Sequence, residues 1–433
     1  MEPAVCLELK SWLSKNGSGF HPDVAFSQVS SGSNIIATNN LPSDSTIVSC
    51  PFSLIITVES ARNSVVSLLE FSDVPEWSER QWISTYLALH WIVRGRDDIT
   101  QSKLNELQHM AYLNTLPTPD KLRTPLHFTD PELELFKGSN LYGASVDRKR
   151  IWEAEWHACR DALEKSNSKW AQLFTWSDLS WFLNAIVIYA INREMYLTAA
   201  TYLSSRAFPS SLLSPTPSLT HSTSTTPVLI PGVDSLNHAR GQPVSWVVTH
   251  PHNHPSPSTT SESLKEPQIS LVTHTTTVKG QEIFNNYGPK PNSELILGYG
   301  FSIEKNLDDT IVLKFGGPHD KKWEIGRSIL GAEDIWRAIL SNFTEVEQDP
   351  TYEDVLDAAG AFQDMVQSLI DKMPEEDISQ VGDVRPEVAV MFQHYIEGQN
   401  DILSKLLDYA KAREEEGIEM ARQEGIDLVI EDS

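Results

Sequence analysis

Residues 284–301 read FNNYGPKPNSELILGYGF and place two tyrosines, each followed by a glycine, twelve positions apart. The polar N-S-E-L segment between them is typical of a turn that leads into a helix. Such a strand-turn-helix unit can carry Tyr287 and Tyr299 for packing alone, or a catalytic pocket can need both hydroxyls. The residues further upstream help to separate these two interpretations.

About fifty residues upstream, the stretch IPGVDSLNHAR at 230–240 concentrates three polar side chains directly after an apolar run. Asp234, Asn237 and His238 can form a turn in which the Asp and Asn side chains bond their own backbone. Alternatively, the Asn amide binds a charged ligand while backbone groups beside His238 contact a purine edge. This stretch alone leaves both interpretations open.

The whole chain has 433 residues, 40% of them hydrophobic, and a formal net charge of −25. This length suits two or three domains. Because phosphate contacts need clustered Lys and Arg, the charge argues against binding to nucleic acid or to an anionic membrane. Residues 331–433 hold 26 Asp plus Glu against 7 Lys plus Arg, a local balance of −19. This acidic part is either a solvated helical surface or a docking face for a lysine-rich protein.

Neither a disulfide framework nor a metal site is predicted. Cys6, Cys50 and Cys159 lack any C-x-x-C spacing, and His250, His252 and His254 lie in a proline-rich stretch without a nearby fourth ligand. The N-terminus shows no basic start followed by an apolar core, and no apolar run approaches the ~18 residues of a membrane span. We therefore expect a cytoplasmic and/or nuclear protein.

The hydrophobic pattern alternates between β-type and helical stretches along the chain, which predicts an α+β fold. An irregular β part is interrupted by a helical insert and followed by an all-helical C-terminal domain, with expected boundaries at 1–60, 61–208, 209–301 and 302–433. The insert includes predicted helices at 81–93 and 179–190, and Ser/Thr/Pro-rich loops are expected at 210–226 and 251–267. The predicted strands are 26–29, 35–38, 46–49, 54–58, 243–249, 268–274, 282–285 and 310–315.

Three short motifs occur in order: L-I-P-x-x-D-x-x-N-H, K-G-Q-E-I-F-N-N-Y-G and N-S-E-L-x-x-x-Y-G-F. Together they resemble the SET domain methyltransferases, and more narrowly the split-SET branch typified by the plant Rubisco large-subunit lysine methyltransferase. Further counterparts in that branch are LIITVESARNSV from Leu54, LPTPDKLRTPLHF at 116–128 and SSRAF at 204–208. The resemblance implies a SET fold split by a helical insert, and a helical C-terminal domain that helps to bind a protein substrate.

The resemblance also implies roles for the residues around the acceptor. Tyr287 matches the catalytic tyrosine, whose hydroxyl aligns the acceptor amine near the transferred methyl group. Tyr299 matches the wall of the lysine channel, and Phe208 adds apolar lining. In this branch an Asn at the Phe208 position goes with a histidine acceptor, so Phe208 favours lysine.

For the methyl donor S-adenosylmethionine, Asn237 and His238 match the pair that holds the amino-acid and adenine ends. Arg206 matches the arginine that engages the donor carboxylate, and Asp234 shapes the same floor. Tyr287 contacts the donor as well as the acceptor, and the loop segment Ser31, Gly32 and Ser33 contacts it through backbone groups. This loop departs from the family, since Asn34 stands where a second glycine is usual and Ser31 replaces an acidic residue. We expect this departure to affect donor affinity.

The resemblance therefore implies a protein-lysine N-methyltransferase that uses S-adenosylmethionine and acts on a non-histone, possibly ribosomal, protein. Two alternatives remain at this point: a SET-fold binding protein without turnover, and a protein-histidine N-methyltransferase. The expected partner is a lysine-rich or basic protein, the expected state is a monomer, and no metal, nucleic acid or membrane is expected.

Overall fold

The computed structural model describes residues 2–29, 32–93, 100–176, 195–220, 222–251, 266–314, 322–345, 348–375 and 382–428. The chain divides into two compact units. The first comprises Met1–Leu122 and Arg148–Pro289, and the second comprises Arg123–Asp147 and Lys290–Ser433. The four segment boundaries expected from the sequence stay a prediction.

The strands of the described residues are β1 (Gly19–Phe20), β2 (Val24–Val29), β3 (Gly32–Ala37), β4 (Ser45–Pro51), β5 (Phe208–Pro209), β6 (Pro227–Val228), β7 (Val244–Thr249), β8 (Gln268–Thr273), β9 (Thr310–Lys314) and β10 (Lys322–Gly326). They form one four-stranded antiparallel sheet, in the order β1-β4-β8-β7, and three two-stranded pairs, β2 with β3, β5 with β6 and β9 with β10. All of them except β9 and β10 belong to the first unit.

The described helices fall mainly in the middle and at the end of the chain, as the sequence predicts. They are α1 (Ala4–Lys15), α2 (Val58–Leu69), α3 (Glu79–Ile92), α4 (Gln101–Leu104), α5 (Met110–Leu113), α6 (Asp130–Glu134), α7 (Asn140–Ser166), α8 (Ser168–Leu173), α9 (Met195–Arg206), α10 (Asn292–Glu294), α11 (Ala332–Leu340), α12 (Tyr352–Ile370) and α13 (Pro386–Gln423). Within the described ranges, no helix combines the length and the apolar character needed to cross a bilayer.

The alternation of β and helical parts is confirmed. The helices after the β9–β10 hairpin pack around one core that includes Trp336 of α11, Phe362 of α12 and Leu406 of α13. These side chains are at most 5% exposed, and burial of such large apolar groups is what stabilises an amphipathic helix. The C-terminal part is therefore helical apart from the hairpin.

Two predicted strands are wrong. Residues 54–58 do not form a strand, because Leu54 ends a 3-10 turn and Val58 begins helix α2. Thr57 caps that helix: its hydroxyl accepts from the Ser60 amide, and the Ser60 hydroxyl accepts from the Thr57 amide. Only Ile56 in this stretch makes a bridge, to Leu229. Residues 282–285 likewise form isolated bridges rather than a strand, Glu282 with Ile36 and Asn285 with His238.

Some of the predicted features lie outside the described residues. These are the helix expected at 179–190, most of the loop expected at 251–267 and the side chains of His252 and His254.

A buried histidine network joins the helical insert to the β part within the first unit. The Tyr86 hydroxyl donates to Nδ1 of His109 at 2.5 Å, and Nε2 of His109 pairs with the Leu54 carbonyl at 3.1 Å. The His109 amide donates to Nε2 of His90 at 3.2 Å, while Nδ1 of His90 pairs with the Tyr86 carbonyl at 2.9 Å. Each ring thus uses one nitrogen as acceptor and one as donor, which is the pattern of a neutral imidazole.

This network predicts that the protein loses stability in mild acid. Burial lowers the pKa of His90 from 6.5 to about 4, and burial together with the His90 charge lowers that of His109 to about 3. The unfolded chain therefore binds more protons below pH 6.5, so the stabilisation is complete above that pH and is lost as pH falls towards 4. For His90 alone the loss approaches about 3 kcal/mol below pH 4, and about 2 kcal/mol of it is expected at pH 5. Urea unfolding followed at pH 7.5, 6 and 5 measures it.

The variant His109→Gln keeps one donor and one acceptor but cannot titrate, so its unfolding free energy should change less steeply between pH 6.5 and 5. His157→Gln replaces an exposed histidine of α7 and should retain the original pH dependence. An unchanged slope in His109→Gln would contradict the assignment.

Candidate functional site

Residues 234–238, here called the site segment, organise the candidate site in the first unit. The chain enters this segment through Gly232, whose φ of 85° is strained for residues with a side chain. A Cβ at Gly232 would also lie only 3.0 Å from Cδ1 of Leu13, so both the backbone angle and the space favour glycine. Leu236 is fully buried, whereas Asn237 is exposed and His238 is half-buried. The segment therefore begins inside the core and ends at the surface.

Asp234 is the buried charge at the start of the site segment. Nη1 of Arg206, at the end of α9, lies 2.9 Å from the Asp234 carbonyl and 3.4 Å from Oδ2. The Tyr112 hydroxyl, from α5, donates to the same Oδ2 at 2.5 Å. Both partners belong to helices of the insert, so the carboxylate joins the insert to the β part.

Burial and the polar neighbours of Asp234 shift the pKa of its carboxyl in opposite directions. Burial raises the pKa of the carboxyl, while the Arg206 guanidinium and the Tyr112 hydrogen bond favour the charged form. Burial also raises the pKa of Tyr112 well above its ordinary value, with the Asp234 charge adding to the effect. Tyr112 therefore keeps its proton and remains a hydrogen-bond donor.

Tyr287 is positioned by two hydrogen bonds and a ring contact with the site segment. Its hydroxyl donates to the Leu236 carbonyl at 2.8 Å, and its amide donates to Nδ1 of His238 at 3.0 Å. The Tyr287 and His238 rings stack with centroids 5.1 Å apart. Because the hydroxyl proton is directed to Leu236, the phenol oxygen can meet a further group only as an acceptor.

His238 is held by a parallel bridge to Asn285. The Asn285 amide donates to the Asn237 carbonyl at 2.7 Å, and the Ala239 amide donates to the Asn285 carbonyl at 3.0 Å. Both hydrogen bonds are made by the neighbours of His238, so its own peptide groups face away from this bridge.

Asn237 connects the site segment to the β2–β3 hairpin. Its Nδ2 lies 2.8 Å from Oε1 of Glu282 and 3.4 Å from the Ser33 carbonyl. Gly32 has a φ of 139°, which favours glycine, and it pairs with Val29 at the end of the hairpin. The hairpin register also pairs Gln28 with Ser33. Ser31 lies outside the described residues.

Phe208 and Tyr299 are the two residues that the sequence analysis assigns to the lining of the acceptor channel. Phe208 pairs with Val228 in the β5–β6 ladder, and its ring meets Trp246 edge-on with centroids 6.5 Å apart.

Tyr299 belongs to the second unit, where the Lys290 ammonium lies 5.6 Å from its ring centroid. Burial, with a smaller contribution from Glu294, raises the pKa of Tyr299 to about 12. Gly300 follows with a φ of 78°, and a Cβ there would lie 2.8 Å from the Arg123 carbonyl carbon.

The structure thus gathers Arg206, Asp234, Asn237, His238, Ser33 and Tyr287 around the site segment. It adds two residues to which the sequence analysis assigned no role, Tyr112 and Glu282. Glu282 lies inside the quoted K-G-Q-E-I motif, so the signal was present. Tyr112 lies 122 residues from Asp234 along the chain, and nothing in its local pattern indicates the contact.

Comparisons with known proteins find similarity to protein methyltransferases. The chain is 29% identical over 306 residues to the ribosomal lysine N-methyltransferase set10 of Schizosaccharomyces pombe, covering 69% of this chain and 46% of that protein. It is 22% identical over 317 residues to the actin-histidine N-methyltransferase of Xenopus tropicalis, covering 71% and 45%. The chain therefore spans less than half the length of these relatives. No protein-family model matches it.

The crystal structure of the SET domain of LSMT bound to methyllysine and AdoHcy matches with a TM-score of 0.68. The match covers 99% of this chain and 98% of that chain, at 16% sequence identity. The chain has the SET fold. The resemblance inferred from the three motifs is confirmed, since the fold and the sequence relatives agree with it.

Within the described part of this SET fold, no group of three or more His, Cys, Asp or Glu side chains is arranged to hold a metal ion. The groups described at the candidate site are the Arg206 guanidinium, the carboxylates of Asp234 and Glu282, the hydroxyls of Tyr112 and Tyr287 and the Asn237 amide.

The variant Tyr112→Phe tests the anchoring of Asp234. It removes one hydrogen bond from a carboxylate whose side chain is only 2% exposed, so we expect a loss of about 1–3 kcal/mol in the free energy of unfolding. Urea unfolding at pH 7.5 measures this loss. The matched control is Tyr352→Phe, whose hydroxyl contacts the exposed Glu353 and should change stability by less than about 0.5 kcal/mol. Equal effects of the two variants would contradict the anchoring role.

Proposed function

We propose that the protein is an S-adenosylmethionine-dependent protein-lysine N-methyltransferase that acts on a non-histone protein. The observation that carries the proposal is the convergence of Arg206, Glu282 and Tyr287 on the site segment. A guanidinium, an oriented amide and a tyrosine oxygen are the groups that a charged amino-acid ligand and a methyl transfer need.

The residues present fit this donor. The donor carries a carboxylate, an ammonium and an adenine, and Arg206 offers a guanidinium whose Nη2 makes no hydrogen bond within the described residues. Asn237 presents its amide at the surface for the ammonium. Oδ1 of Asp234 and Nδ2 of Asn285 are buried without a partner in the described ranges, and a ligand or an ordered water would satisfy such atoms. We assign the adenine end to the peptide groups of His238.

When bound, the donor supplies an electrophilic methyl group on a sulfonium. Tyr287 then acts by position. Its oxygen, with the proton directed to Leu236, offers lone pairs to an N–H of the acceptor amine or to the C–H groups of the methyl. In-line transfer depends on this kind of alignment more than on covalent catalysis.

A lysine amine must be neutral to attack, although its ordinary pKa is about 10.4. Burial against apolar side chains favours loss of the proton. We assign Phe208, beside Trp246, to this apolar lining. Tyr299 lies in the second unit, and the role that the resemblance implies for it stays a prediction.

We propose a basic protein as the substrate, with a ribosomal protein as the leading class. The S. pombe relative is named as a ribosomal lysine methyltransferase. The excess of 19 negative charges in residues 331–433 favours approach of a lysine-rich partner over a nucleic acid. Such a substrate would be met in the cytoplasm or the nucleus, and we expect the enzyme to act as a monomer.

A histidine acceptor is the second candidate, because the X. tropicalis relative is named as an actin-histidine methyltransferase. In the branch that the chain resembles, an Asn at the position of Phe208 goes with a histidine acceptor, and this chain has Phe there. Lysine is therefore the better assignment. A binding protein without turnover is disfavoured by the presence of both Tyr287 and Tyr299 together with the Asn237–His238 pair.

The test of this function uses the purified protein with S-adenosylmethionine labelled in its methyl group, added to fractionated cell extract. We expect label on a protein of the ribosomal fraction, and mass spectrometry should place it on a lysine amine. Label on an imidazole would establish the histidine alternative, and absence of label in every fraction would contradict an enzymatic role.

The variant Tyr287→Phe tests the central tyrosine in the same assay. We expect methylation to fall roughly 10²-fold or more, because the positioned oxygen at the reacting centre is lost. Calorimetric titration with S-adenosylhomocysteine should show donor-site binding close to that of the original protein. Tyr352→Phe serves as the control and should methylate normally. Unchanged turnover in Tyr287→Phe would remove this residue from the reaction.

A further inference from the structure

Glu282 lies between the two polypeptide segments that contribute to the candidate donor site. Its Oε1 accepts from Nδ2 of Asn237 at 2.8 Å, and its Oε2 accepts from Nδ2 of Asn34 at 3.1 Å. Asn237 belongs to the site segment, and Asn34 belongs to strand β3. One carboxylate therefore ties the site segment to the hairpin through two side-chain amides.

The backbone around Glu282 makes this bridge rigid. Glu282 forms a bridge with Ile36, the Ile283 amide donates to the Ile35 carbonyl at 2.8 Å, and the Ala37 amide donates to the Gln281 carbonyl at 2.9 Å. Backbone hydrogen bonds of the residues before and after Glu282 therefore hold this segment against β3. The main chain of Glu282 is thus fixed beside β3, and the two amides of Asn34 and Asn237 hold its carboxylate.

The carboxylate determines which way each amide points. A charged carboxylate only accepts hydrogen bonds, so an asparagine beside it must present its NH2 group and turn its carbonyl oxygen away. For the exposed Asn237, the Ser33 carbonyl at 3.4 Å favours the same orientation. Oδ1 of Asn237 is therefore held as an acceptor on the side of the amide opposite Glu282.

The Glu282 carboxylate also has no positively charged partner among the described residues. Within the described residues, no Lys, Arg or His side chain forms an ion pair with it; its two side-chain partners are neutral amides. A half-buried carboxylate in this setting projects negative potential towards the amide that it orients. A cation bound at Oδ1 of Asn237 would be stabilised by both the acceptor and the potential.

We propose that Glu282 is a positioning residue that makes the site select a donor with a free ammonium group, by orienting Asn237 and supplying the negative potential behind it. Asn34 is the second support of this carboxylate, and a glycine at position 34 would remove it. The departure of Asn34 from the family pattern thus acquires a physical role. The inference rests on the proposed function, since it concerns the same donor site.

Two ligands that differ by one group test the inference. The first is S-adenosylhomocysteine, and the second is its analogue in which hydrogen replaces the amino group. We expect the original protein to bind the first at least roughly tenfold more tightly by calorimetry, because an ammonium adds charge-assisted hydrogen bonds. In Glu282→Gln this preference should largely disappear, through weaker binding of S-adenosylhomocysteine and unchanged binding of the analogue.

Two further variants and one unfolding measurement distinguish a loss of Asn237 orientation from general damage to the fold. Glu282→Asp keeps the charge and should retain part of the preference. Glu8→Gln removes an exposed carboxylate of α1 in the same unit and should leave both affinities unchanged. Urea unfolding of Glu282→Gln checks that the fold is intact. If Glu282 served only in packing, Glu282→Gln would bind both ligands more weakly and to the same extent, and that result would overturn the inference.

The outcomes also distinguish the inference from the proposed function. If the original protein binds S-adenosylhomocysteine and Glu282→Gln keeps the full preference for it, the inference is wrong and the proposed function stands. If the original protein binds neither ligand, both are wrong.

Discussion

The buried carboxylate of Asp234 is the interaction on which the candidate site depends. It receives Arg206 from α9 and Tyr112 from α5, so two helices of the insert are tied to one point of the β part. A buried charge that loses a partner costs several kcal/mol, which makes this arrangement difficult to rearrange. The site segment therefore begins from a fixed position.

After Asp234, successive residues of the site segment contact different parts of the candidate site. The fully buried Leu236 offers its carbonyl to the Tyr287 hydroxyl, and the exposed Asn237 meets Glu282 one residue later. His238 then receives the Tyr287 amide and stacks on its ring. Five consecutive residues thus set the orientation of the Arg206 guanidinium, the Tyr287 phenol and the Asn237 amide.

Much of this could be predicted from the sequence, because the relevant residues lie in short motifs whose order is informative. The motifs led to Tyr287, Asn237 and His238, and the structure brings these three together. Tyr112 could not be predicted, since its contact with Asp234 joins positions 122 residues apart and depends on tertiary packing. Glu282 lay in a recognised motif, but only its distances to Asn34 and Asn237 show what it does. The strand expected at 54–58 failed because Leu54 ends a 3-10 turn and the capping box at Thr57 starts helix α2 at Val58, which leaves too few residues between them for a strand.

The most direct test of the account is a crystal structure of the protein with S-adenosylhomocysteine. We predict that the ligand carboxylate lies within about 3 Å of the Arg206 guanidinium, as charge-assisted hydrogen bonds require, and that its amino group meets Oδ1 of Asn237. The sulfur should face the Tyr287 hydroxyl. A ligand bound away from residues 234–238, or with its amino-acid end remote from Arg206 and Asn237, would contradict the account.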